Sequence, residues 1–365
     1  MEIQAAVVKE KGAFSVEVMD LSTPQPDEVL VKIVATGMCH TDLAVRDQHI
    51  PLPLPIVLGH EGAGVVVEVG TNVSNVAVGD HVVLTFGSCG KCESCLNGKP
   101  AYCIEFMGYN VSTRRPDGSC THHQHGNPVG ASFFYQSSFA THAIAHKRNV
   151  VKVPADLPLE ILAPLGCGVQ TGAGAVFNCV NANPGSSIAI FGIGAVGLSA
   201  VMAAKVAGCK IIIAVDVKPE RLALASELGA THVINGSDAN AVEAIGQIKA
   251  GGVDYSIEAS GVPSVMTQAV ESLSGTGTAV LLGVAPHDAK VCFNAGTLLG
   301  GRTIRCSIEG DSVPEVFIPK LVDLYRSGRF PFDRMSKYYE FDQINQAAAD
   351  SESGSTIKPI IRMPA

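Results

Sequence analysis

The sequence predicts an α/β fold with two parts, a mostly β domain and a Rossmann-type domain built on a doubly wound parallel sheet. Three observations predict it. The first 150 residues consist of short apolar stretches separated by Gly, Pro and Asp, with little helical periodicity. After Pro184 the pattern alternates between strands and helices, which is typical of a parallel sheet. A chain of 365 residues is also long enough for two hydrophobic cores.

The individual elements follow from the spacing of apolar residues along the chain. In the first half, strands are predicted at 29–34 and 65–69. A βαβ unit is predicted from a strand at 187–191, a glycine turn at 192–197, a helix at 198–207 and a strand at 211–215. Further helices are predicted at 221–228 and 241–249, and further strands at 255–257 and 278–282. After about residue 308 the character is mixed, with a helix at 319–327 and a strand at 357–363, and we expect this tail to pack on the first domain.

Composition excludes several classes of protein. A net charge of −8 argues against a nucleic acid or an anionic membrane as partner, since either requires a basic face. Residues 161–204 contain no charged side chain, but polar residues interrupt this stretch, so a buried core is expected there rather than a membrane span. The first residues show no secretory signal pattern, and eleven cysteines then fit a reducing cytoplasm.

Four closely spaced cysteines predict a structural metal site. Cys89, Cys92, Cys95 and Cys103 suit a closed tetrahedral zinc site with four thiolate ligands. Disulfides are a weaker alternative in a reducing compartment. An iron–sulfur cluster is the stronger alternative. However, seven residues separate Cys95 from Cys103, whereas about three residues separate the last two cysteines of the ferredoxin pattern. Structural zinc is therefore the expected occupant.

A glycine-rich turn predicts a dinucleotide site. The run Gly192-Ile193-Gly194-Ala195-Val196-Gly197 follows an apolar strand and opens a helix, so its glycines allow a tight turn and a close approach of pyrophosphate. Asp216 ends the next strand, where a carboxylate binds ribose hydroxyls and repels a 2′-phosphate. The pattern therefore favours NAD over NADP. The alternatives are an ordinary βα turn and a solvated Asp216.

Cys39, His60 and Cys167 remain outside these motifs. Each has an ordinary interpretation by itself, as a buried thiol or a hydrogen-bonded core histidine. Together with their neighbours, however, they closely resemble the zinc-dependent alcohol dehydrogenases of the medium-chain dehydrogenase/reductase superfamily, from the first strand to the last. The matching segments are 37–42, 59–62 with Gly64 and Gly70, 78–80, the four-cysteine lobe, 166–168, 171–172 and the glycine turn.

Within that superfamily the chain is most similar to the aryl-alcohol (benzyl alcohol) dehydrogenases. The similarity lies in residues 136–141 and 330–333. Dehydrogenases of allylic terpene alcohols such as geraniol look alike in the same stretches. The resemblance implies a GroES-like catalytic domain at 1–171 and 309–365 with a zinc lobe at 88–104, and an NAD-binding Rossmann domain at 172–308. It also implies two zinc ions per chain, one catalytic and one structural, and a cytoplasmic homodimer or homotetramer.

The resemblance assigns the catalytic metal ligands. It implies that Cys39, His60 and Cys167 hold the catalytic zinc, which agrees with the three protein ligands that such a site takes. Glu61 would lie beside the metal as a transient ligand. Asp42 would orient the imidazole of His60 and fix its tautomer.

Further roles are implied around the cofactor. Thr41 would hydrogen-bond the alcohol and start a proton relay. The other cofactor-binding positions implied are His40 and Lys358 at the pyrophosphate, Arg221 at the adenosine ribose, Thr171 at the nicotinamide, and Val284. Ala44 departs from the family, because many relatives have a histidine there at the solvent end of the relay. We expect His49, ordered water or the ribose itself to release the proton instead.

The implied activity is NAD-dependent oxidation of a primary aromatic or allylic alcohol, with zinc as the Lewis acid and an aldehyde as product. Candidate walls of the substrate pocket are Phe86, Phe106, Phe133, Phe134 and Ile308. Glutathione-dependent formaldehyde dehydrogenase is an alternative, although its anionic substrate would require basic residues of which the sequence shows no clear set. A non-catalytic redox sensor that binds zinc and NAD is the alternative from another class. The tract His122, His123 and His125 is expected to be an exposed loop.

Overall fold

The computed structural model describes residues 1–286 and 288–364. Its strands, in chain order, are β1 (Glu2–Val8), β2 (Ser15–Leu21), β3 (Glu28–Gly37), β4 (Ile56–Val57), β5 (Glu61–Val69), β6 (His81–Leu84), β7 (His122–Gln124), β8 (Asn127–Val129), β9 (His142–His146), β10 (Val150–Lys152), β11 (Ser187–Phe191), β12 (Ile211–Asp216), β13 (His232–Asn235), β14 (Val253–Glu258), β15 (Leu273–Leu281), β16 (Thr303–Cys306), β17 (Ser336–Glu340) and β18 (Lys358–Arg362). Its α-helices are α1 (His40–Arg46), α2 (Glu93–Leu96), α3 (Phe106–Asn110), α4 (Leu159–Leu162), α5 (Gly168–Gly174), α6 (Ala195–Ala207), α7 (Pro219–Leu228), α8 (Ala241–Ile248), α9 (Pro263–Glu271), α10 (Pro314–Arg326) and α11 (Ile344–Ser353).

The chain forms two compact units, each with its own core. The first contains residues 1–167, 313–323 and those from Asp333 onward; the second contains 168–312 and 324–332. The predicted domain limits, at 171/172 and 308/309, stay a prediction. Among the described residues, no helix has both the length and the apolar character needed to cross a membrane.

The first unit is mostly β, as predicted. One sheet has the order β4-β1-β2-β7-β8, and the other has the order β10-β6-β5-β3-β18-β17, with β9 also paired to β3. Alternation along β3 explains its central position: Val29, Val31 and Ile33 pack into one cluster of buried residues, and Leu30 packs into another. Both faces of this strand are therefore covered, and its end at Gly37 is firmly placed.

The second unit is a parallel six-stranded sheet with the order β13-β12-β11-β14-β15-β16. In chain order this is 3-2-1-4-5-6, the order of Rossmann dinucleotide-binding domains, and ligands bind such sheets where the order reverses. That point lies between β11 and β14, and the glycine turn follows β11 directly. The predicted fold class is thus confirmed.

Several local expectations need correction. The helix α1 was not predicted; it forms because Asp42 accepts a hydrogen bond from the backbone N–H of Cys39, at 2.9 Å, and caps the first turn. The expectation that the histidine tract is an exposed loop is wrong for His122, which lies on β7 and is 1% exposed. Burial lowers the pKa of His122 to about 3. The helix predicted at 319–327 begins earlier, at Pro314, because proline is well accommodated in a first helical turn.

Candidate active site

Four side chains of the first unit converge on one point. Cys39, His60, Glu61 and Cys167 each offer one ligand atom, and these atoms all lie within 4.8 Å of one another. His60 and Glu61 are fully buried, and the two thiols are partly buried. The three expected ligands of the catalytic zinc are therefore brought together by the fold, with a carboxylate beside them.

Strand pairing produces this convergence. Gly37 at the end of β3 is opposite Glu61 at the start of β5, so Cys39 and His60 extend from neighbouring strand ends. Position 37 requires glycine for a steric reason. A Cβ there would lie 1.9 Å from a carboxylate oxygen of Glu61.

Asp42 fixes the orientation of His60. Its Oδ1 accepts hydrogen bonds from His60 Nδ1 at 2.9 Å and from the backbone N–H of Gly59 at 3.0 Å. Because a carboxylate only accepts, the imidazole proton is on Nδ1. The other nitrogen, Nε2, is buried and has no hydrogen-bond partner among the described residues. A buried ring nitrogen without a hydrogen-bond partner is what an imidazole offers to a metal ion.

The thiols are also prepared for a metal. A hydrogen bond from Cys167, together with the neighbouring His60, holds the pKa of the Cys39 thiol well below its usual range. Thiolate is the form of cysteine that binds metals. Two cysteines and one histidine form a recognised ligand set for catalytic zinc, which keeps a fourth position for water or substrate. The residues present therefore fit a zinc ion.

Lys358 lies behind Glu61. Its Nζ donates to the two carboxylate oxygens of Glu61 at 2.8 and 2.7 Å and to the carbonyl oxygen of Met38 at 3.2 Å. The ammonium group is 2% exposed and the carboxylate is fully buried. Burial alone would lower the pKa of Lys358, but the Glu61 carboxylate outweighs burial and raises it. The expected contact of Lys358 with pyrophosphate stays a prediction, and its partner within the chain is Glu61.

The expected relay residues lie on or next to α1. The Thr41 hydroxyl is 3.8 Å from Cys39 Sγ and is partly buried. His40 and His49 are exposed, and Ala44 is partly buried. The structure thus puts Thr41 beside the metal cluster. Release of the proton through His49 stays a prediction.

The four lobe cysteines form a second cluster. Cys89, Cys92, Cys95 and Cys103 also offer sulfur atoms within 4.8 Å of one another. Two sulfur pairs, Cys89 with Cys95 and Cys92 with Cys103, are each 3.9 Å apart. A tetrahedral site with Zn–S bonds of about 2.3 Å has edges of about 3.8 Å, so this spacing fits zinc. Backbone N–H groups of Cys95 and Ile104 lower the pKa of Cys92 to about 6. All eleven cysteines are free, so none is in a disulfide.

The glycine turn in the second unit has the geometry that a dinucleotide requires. Gly192 has a φ of 85°, a conformation that favours glycine, and α6 begins at Ala195 after the cap residue Gly194. A Cβ at Gly197 would lie 2.0 Å from the carbonyl oxygen of Gly192, so the helix packs closely on the turn. Val196 lies in the first turn of α6.

Asp216 braces the same turn. Its Oδ2 accepts a hydrogen bond from the backbone N–H of Ile193 at 2.6 Å, and its Oδ1 accepts one from the backbone N–H of Lys218 at 2.9 Å. A guanidinium nitrogen of Arg221 lies 3.9 Å from Oδ2. A carboxylate has about four acceptor sites, so acceptor sites remain after these contacts.

The other expected cofactor contacts differ in exposure. Thr171 on α5 is partly buried, and its hydroxyl donates to Glu309 at 3.4 Å. Val284 is 72% exposed. The candidate pocket residue Ile308 is 41% exposed. Their roles toward a cofactor or substrate stay predictions.

Sequence reasoning missed how residues 132–139 surround His60. The Phe134 ring stacks on the imidazole at a centroid distance of 4.5 Å, and the Phe133 ring meets it edge-on at 5.5 Å. Gln136 donates to the carbonyl oxygen of His60 and accepts from the N–H of Gly62, both at 3.0 Å. The sequence pointed to this segment through the resemblance of 136–141 to one branch and through Phe133 and Phe134 as candidate pocket walls, but neither signal indicates contact with His60.

Known proteins match the chain over its whole length. The family model described as alcohol dehydrogenase GroES-like domain matches residues 25–155, and the one described as zinc-binding dehydrogenase matches residues 195–326. Geraniol dehydrogenase from Castellaniella defragrans is 45% identical over 362 residues, covering 98% of this chain and 97% of the relative.

Two solved structures are similar throughout. An alcohol dehydrogenase zinc-binding domain protein from Burkholderia ambifaria has a TM-score of 0.99 at 54% identity, and benzyl alcohol dehydrogenase from Acinetobacter calcoaceticus has a TM-score of 0.97 at 51% identity. Each covers all of this chain and all of its own. The predicted family, enzyme class and zinc dependence are confirmed by these matches. Zinc and a nicotinamide dinucleotide are the cofactors for which the two clusters and the glycine turn are suited. The chain therefore belongs to the zinc-dependent alcohol dehydrogenases of the medium-chain dehydrogenase/reductase superfamily.

Proposed function

We propose that this enzyme oxidises primary aromatic or allylic alcohols to aldehydes with NAD, and catalyses the reverse reduction. The observation that carries the proposal is the cluster of Cys39, His60 and Cys167, in which the buried Nε2 of His60 is free to bind a metal. A buried nitrogen without a partner is costly unless something binds it. The cluster is therefore assigned as the catalytic zinc site and the four-cysteine lobe as the structural one.

The residues of the site have distinct tasks. When bound, zinc supplies Lewis acidity toward the alcohol oxygen, and the nicotinamide ring accepts hydride. Thr41 receives the alcohol proton by hydrogen bonding and passes its own onward. Asp42 keeps the proton of His60 on Nδ1, so that Nε2 stays available. Lys358 holds the Glu61 carboxylate, and this contact controls how far Glu61 approaches the metal ligands.

The aromatic rings beside the cluster support the substrate class. Phe134 stacks on the His60 imidazole and is 8% exposed, so a flat unsaturated group next to the carbinol carbon would meet the edge of an aromatic ring there, while the fully buried Phe133 supports that ring from behind. The similarity to a geraniol dehydrogenase and to a benzyl alcohol dehydrogenase agrees with such a group. Benzyl-type and terpene-type alcohols are the two candidate substrates, because one of these relatives is named for benzyl alcohol and the other for geraniol.

The cofactor choice rests on Asp216. Its carboxylate has acceptor sites left for ribose hydroxyls, and its negative charge opposes a 2′-phosphate. We therefore propose NAD rather than NADP as the preferred dinucleotide. The proposal extends to a homodimer or homotetramer in a reducing cytoplasm, which the free state of all eleven cysteines supports.

A substrate panel tests the proposal. Benzyl alcohol, geraniol, cyclohexylmethanol and ethanol are compared by the appearance of reduced cofactor, with NAD and with NADP. We expect kcat/KM for benzyl alcohol or geraniol to exceed that for ethanol by about 100-fold, since burying a group of that size contributes roughly 1.5–3 kcal/mol. We expect NAD to be preferred over NADP by about tenfold or more.

Cyclohexylmethanol is the matched control for size, because it resembles benzyl alcohol in volume but lacks conjugation. A rate close to that of benzyl alcohol would show that volume alone selects the substrate. Ethanol as the best substrate, or a preference for NADP, would contradict the proposal.

A further inference from the structure

Residues 132–137 adopt an unusual backbone conformation. Ser132, Phe134, Tyr135 and Ser137 have φ values of 70°, 48°, 50° and 48°. This left-handed region is disfavoured for residues with a Cβ, because the side chain approaches the backbone carbonyl oxygen. Such a segment persists only when surrounding contacts hold it in place.

The segment packs against the imidazole of His60, which is assigned as a metal ligand. The Phe134 ring lies on the face of His60, with an interplanar angle of 25°. One residue after Tyr135, the Gln136 amide bonds the backbone on both sides of Glu61, at His60 and Gly62. A shift of the segment would therefore change the position of the imidazole.

A buried ion pair outside the metal cluster anchors this segment. The Tyr135 hydroxyl donates to Glu28 Oε1 at 3.0 Å. Arg115 donates to the two oxygens of the same carboxylate, at 2.8 and 2.7 Å. Glu28, Arg115 and Tyr135 are 1%, 5% and 4% exposed, so little water competes for these bonds. Burial raises the pKa of Tyr135, which keeps its hydroxyl a donor.

Other hydrogen bonds also hold the segment in place. The Asn149 amide donates to the carbonyl oxygens of Phe134 and Tyr135, each at 3.2 Å. The Ser137 hydroxyl donates to the carbonyl oxygen of Val57 at 2.7 Å. The hydrogen bond from the Tyr135 hydroxyl to Glu28, however, is the contact that connects the charged pair to the segment.

We infer that the Glu28–Arg115 pair is a positioning device for the catalytic metal site, which acts through the Tyr135 hydroxyl to keep Phe134 against the His60 imidazole. Tyr135, Glu28 and Arg115 are thus positioning residues, since none is among the four side chains that converge on the metal point. The inference rests on the proposed function, because it takes His60 as a zinc ligand. It assigns a task to a charged network that the reaction itself does not use.

The test removes a single oxygen atom. Tyr135→Phe keeps the ring but loses the bond to Glu28. We expect zinc to leave the catalytic site about tenfold faster in this variant, because outer partners of metal ligands typically contribute 10–100-fold to metal affinity. The rate is read from the colour of a chelating dye that binds released zinc. The phase that is missing in Cys39→Ser identifies the catalytic site, and the phase of the four-cysteine site serves as an internal reference.

Tyr109→Phe is the matched control. Its ring stacks on that of Tyr135 at 5.9 Å, and its hydroxyl makes no hydrogen bond with any described residue. We expect this variant to release both zinc ions at the wild-type rate. Equal rates in Tyr135→Phe and Tyr109→Phe, or acceleration of both phases alike in Tyr135→Phe, would overturn the inference.

A double-mutant cycle tests the path through Phe134. Phe134→Leu should speed catalytic zinc release by itself, and adding Tyr135→Phe should then change the rate less than twofold, because both changes act through one contact. Additive effects would overturn the path. A wild-type protein that releases only one zinc ion would overturn the proposed function and this inference with it. Two zinc ions and full alcohol turnover without any effect of Tyr135→Phe would overturn the inference alone.

Discussion

Replacing Cys167 by serine is expected to lower the zinc content from about two to about one ion per chain. It should also reduce kcat/KM for the best alcohol by about a thousandfold or more, since metal polarisation of a substrate oxygen supplies several kcal/mol. The physical reason is the loss of one of the two thiolates at the point where Cys39, His60 and Cys167 converge. Metal analysis of the dialysed protein and steady-state kinetics measure the two effects.

Cys209→Ser is the matched control for that change. Cys209 is a buried thiol of the second unit, and its sulfur lies 3.3 Å from the Ser186 hydroxyl rather than in either cluster. This variant should keep both zinc ions and its activity. Retention of two zinc ions by Cys167→Ser, with undiminished turnover, would contradict the assignment of the catalytic site.

Replacing Lys358 by methionine is expected to destabilise the folded protein by about 3–5 kcal/mol, the usual cost of removing one partner of a buried ion pair. The Glu61 carboxylate, which is fully buried, would lose both of its bonds to the ammonium group. The carboxylate would then lie beside two thiols without the ammonium group that compensates its charge. Denaturant unfolding of the zinc-loaded protein measures the change in free energy.

Two further variants sharpen this prediction. Adding Glu61→Gln to Lys358→Met should recover most of the lost stability, because the carboxylate charge that Lys358 compensated is then also removed. Lys337→Met is the exposed counterpart: Lys337 bonds Asp350 at 2.9 Å with a side chain that is 56% exposed. Its removal should leave the free energy of unfolding nearly unchanged, because water screens an exposed ion pair. Equal costs for the two lysines would contradict the buried pairing of Lys358.

Local motifs could be predicted from the sequence because their geometry is fixed within a few residues. The lobe cysteines span only 15 positions, and the glycine turn is defined by its own backbone. The spacing of residues along the chain is therefore enough to predict the four-cysteine site and the glycine turn. The parallel sheet is predicted by the alternation of strands and helices around Asp216. Cys39, His60 and Cys167 were found only through family resemblance, because Cys39 and His60 meet through the pairing of β3 with β5 and Cys167 comes from a distant part of the chain.

The contacts that depend on distant pairing were not predictable. Lys358 meets Glu61 because β18 pairs with β3, although the two residues are 297 positions apart. The left-handed backbone at Phe134 and Tyr135 has no glycine to indicate it. His122 was misplaced for a similar reason, since its burial comes from the pairing of β7 with β2 and not from its polar neighbours in sequence.

Anomalous diffraction at the zinc absorption edge tests the central claim most directly. Crystals of the protein with NAD and an unreactive alcohol analogue would give the metal positions independently of any assumed ligand. We expect two anomalous peaks per chain. One should lie in the four-cysteine lobe, and the other should lie about 2.0–2.3 Å from Cys39 Sγ, His60 Nε2 and Cys167 Sγ, with the fourth position taken by the analogue. The absence of a peak among those three atoms, or a peak whose fourth ligand remains Glu61 with the analogue bound elsewhere, would contradict the account.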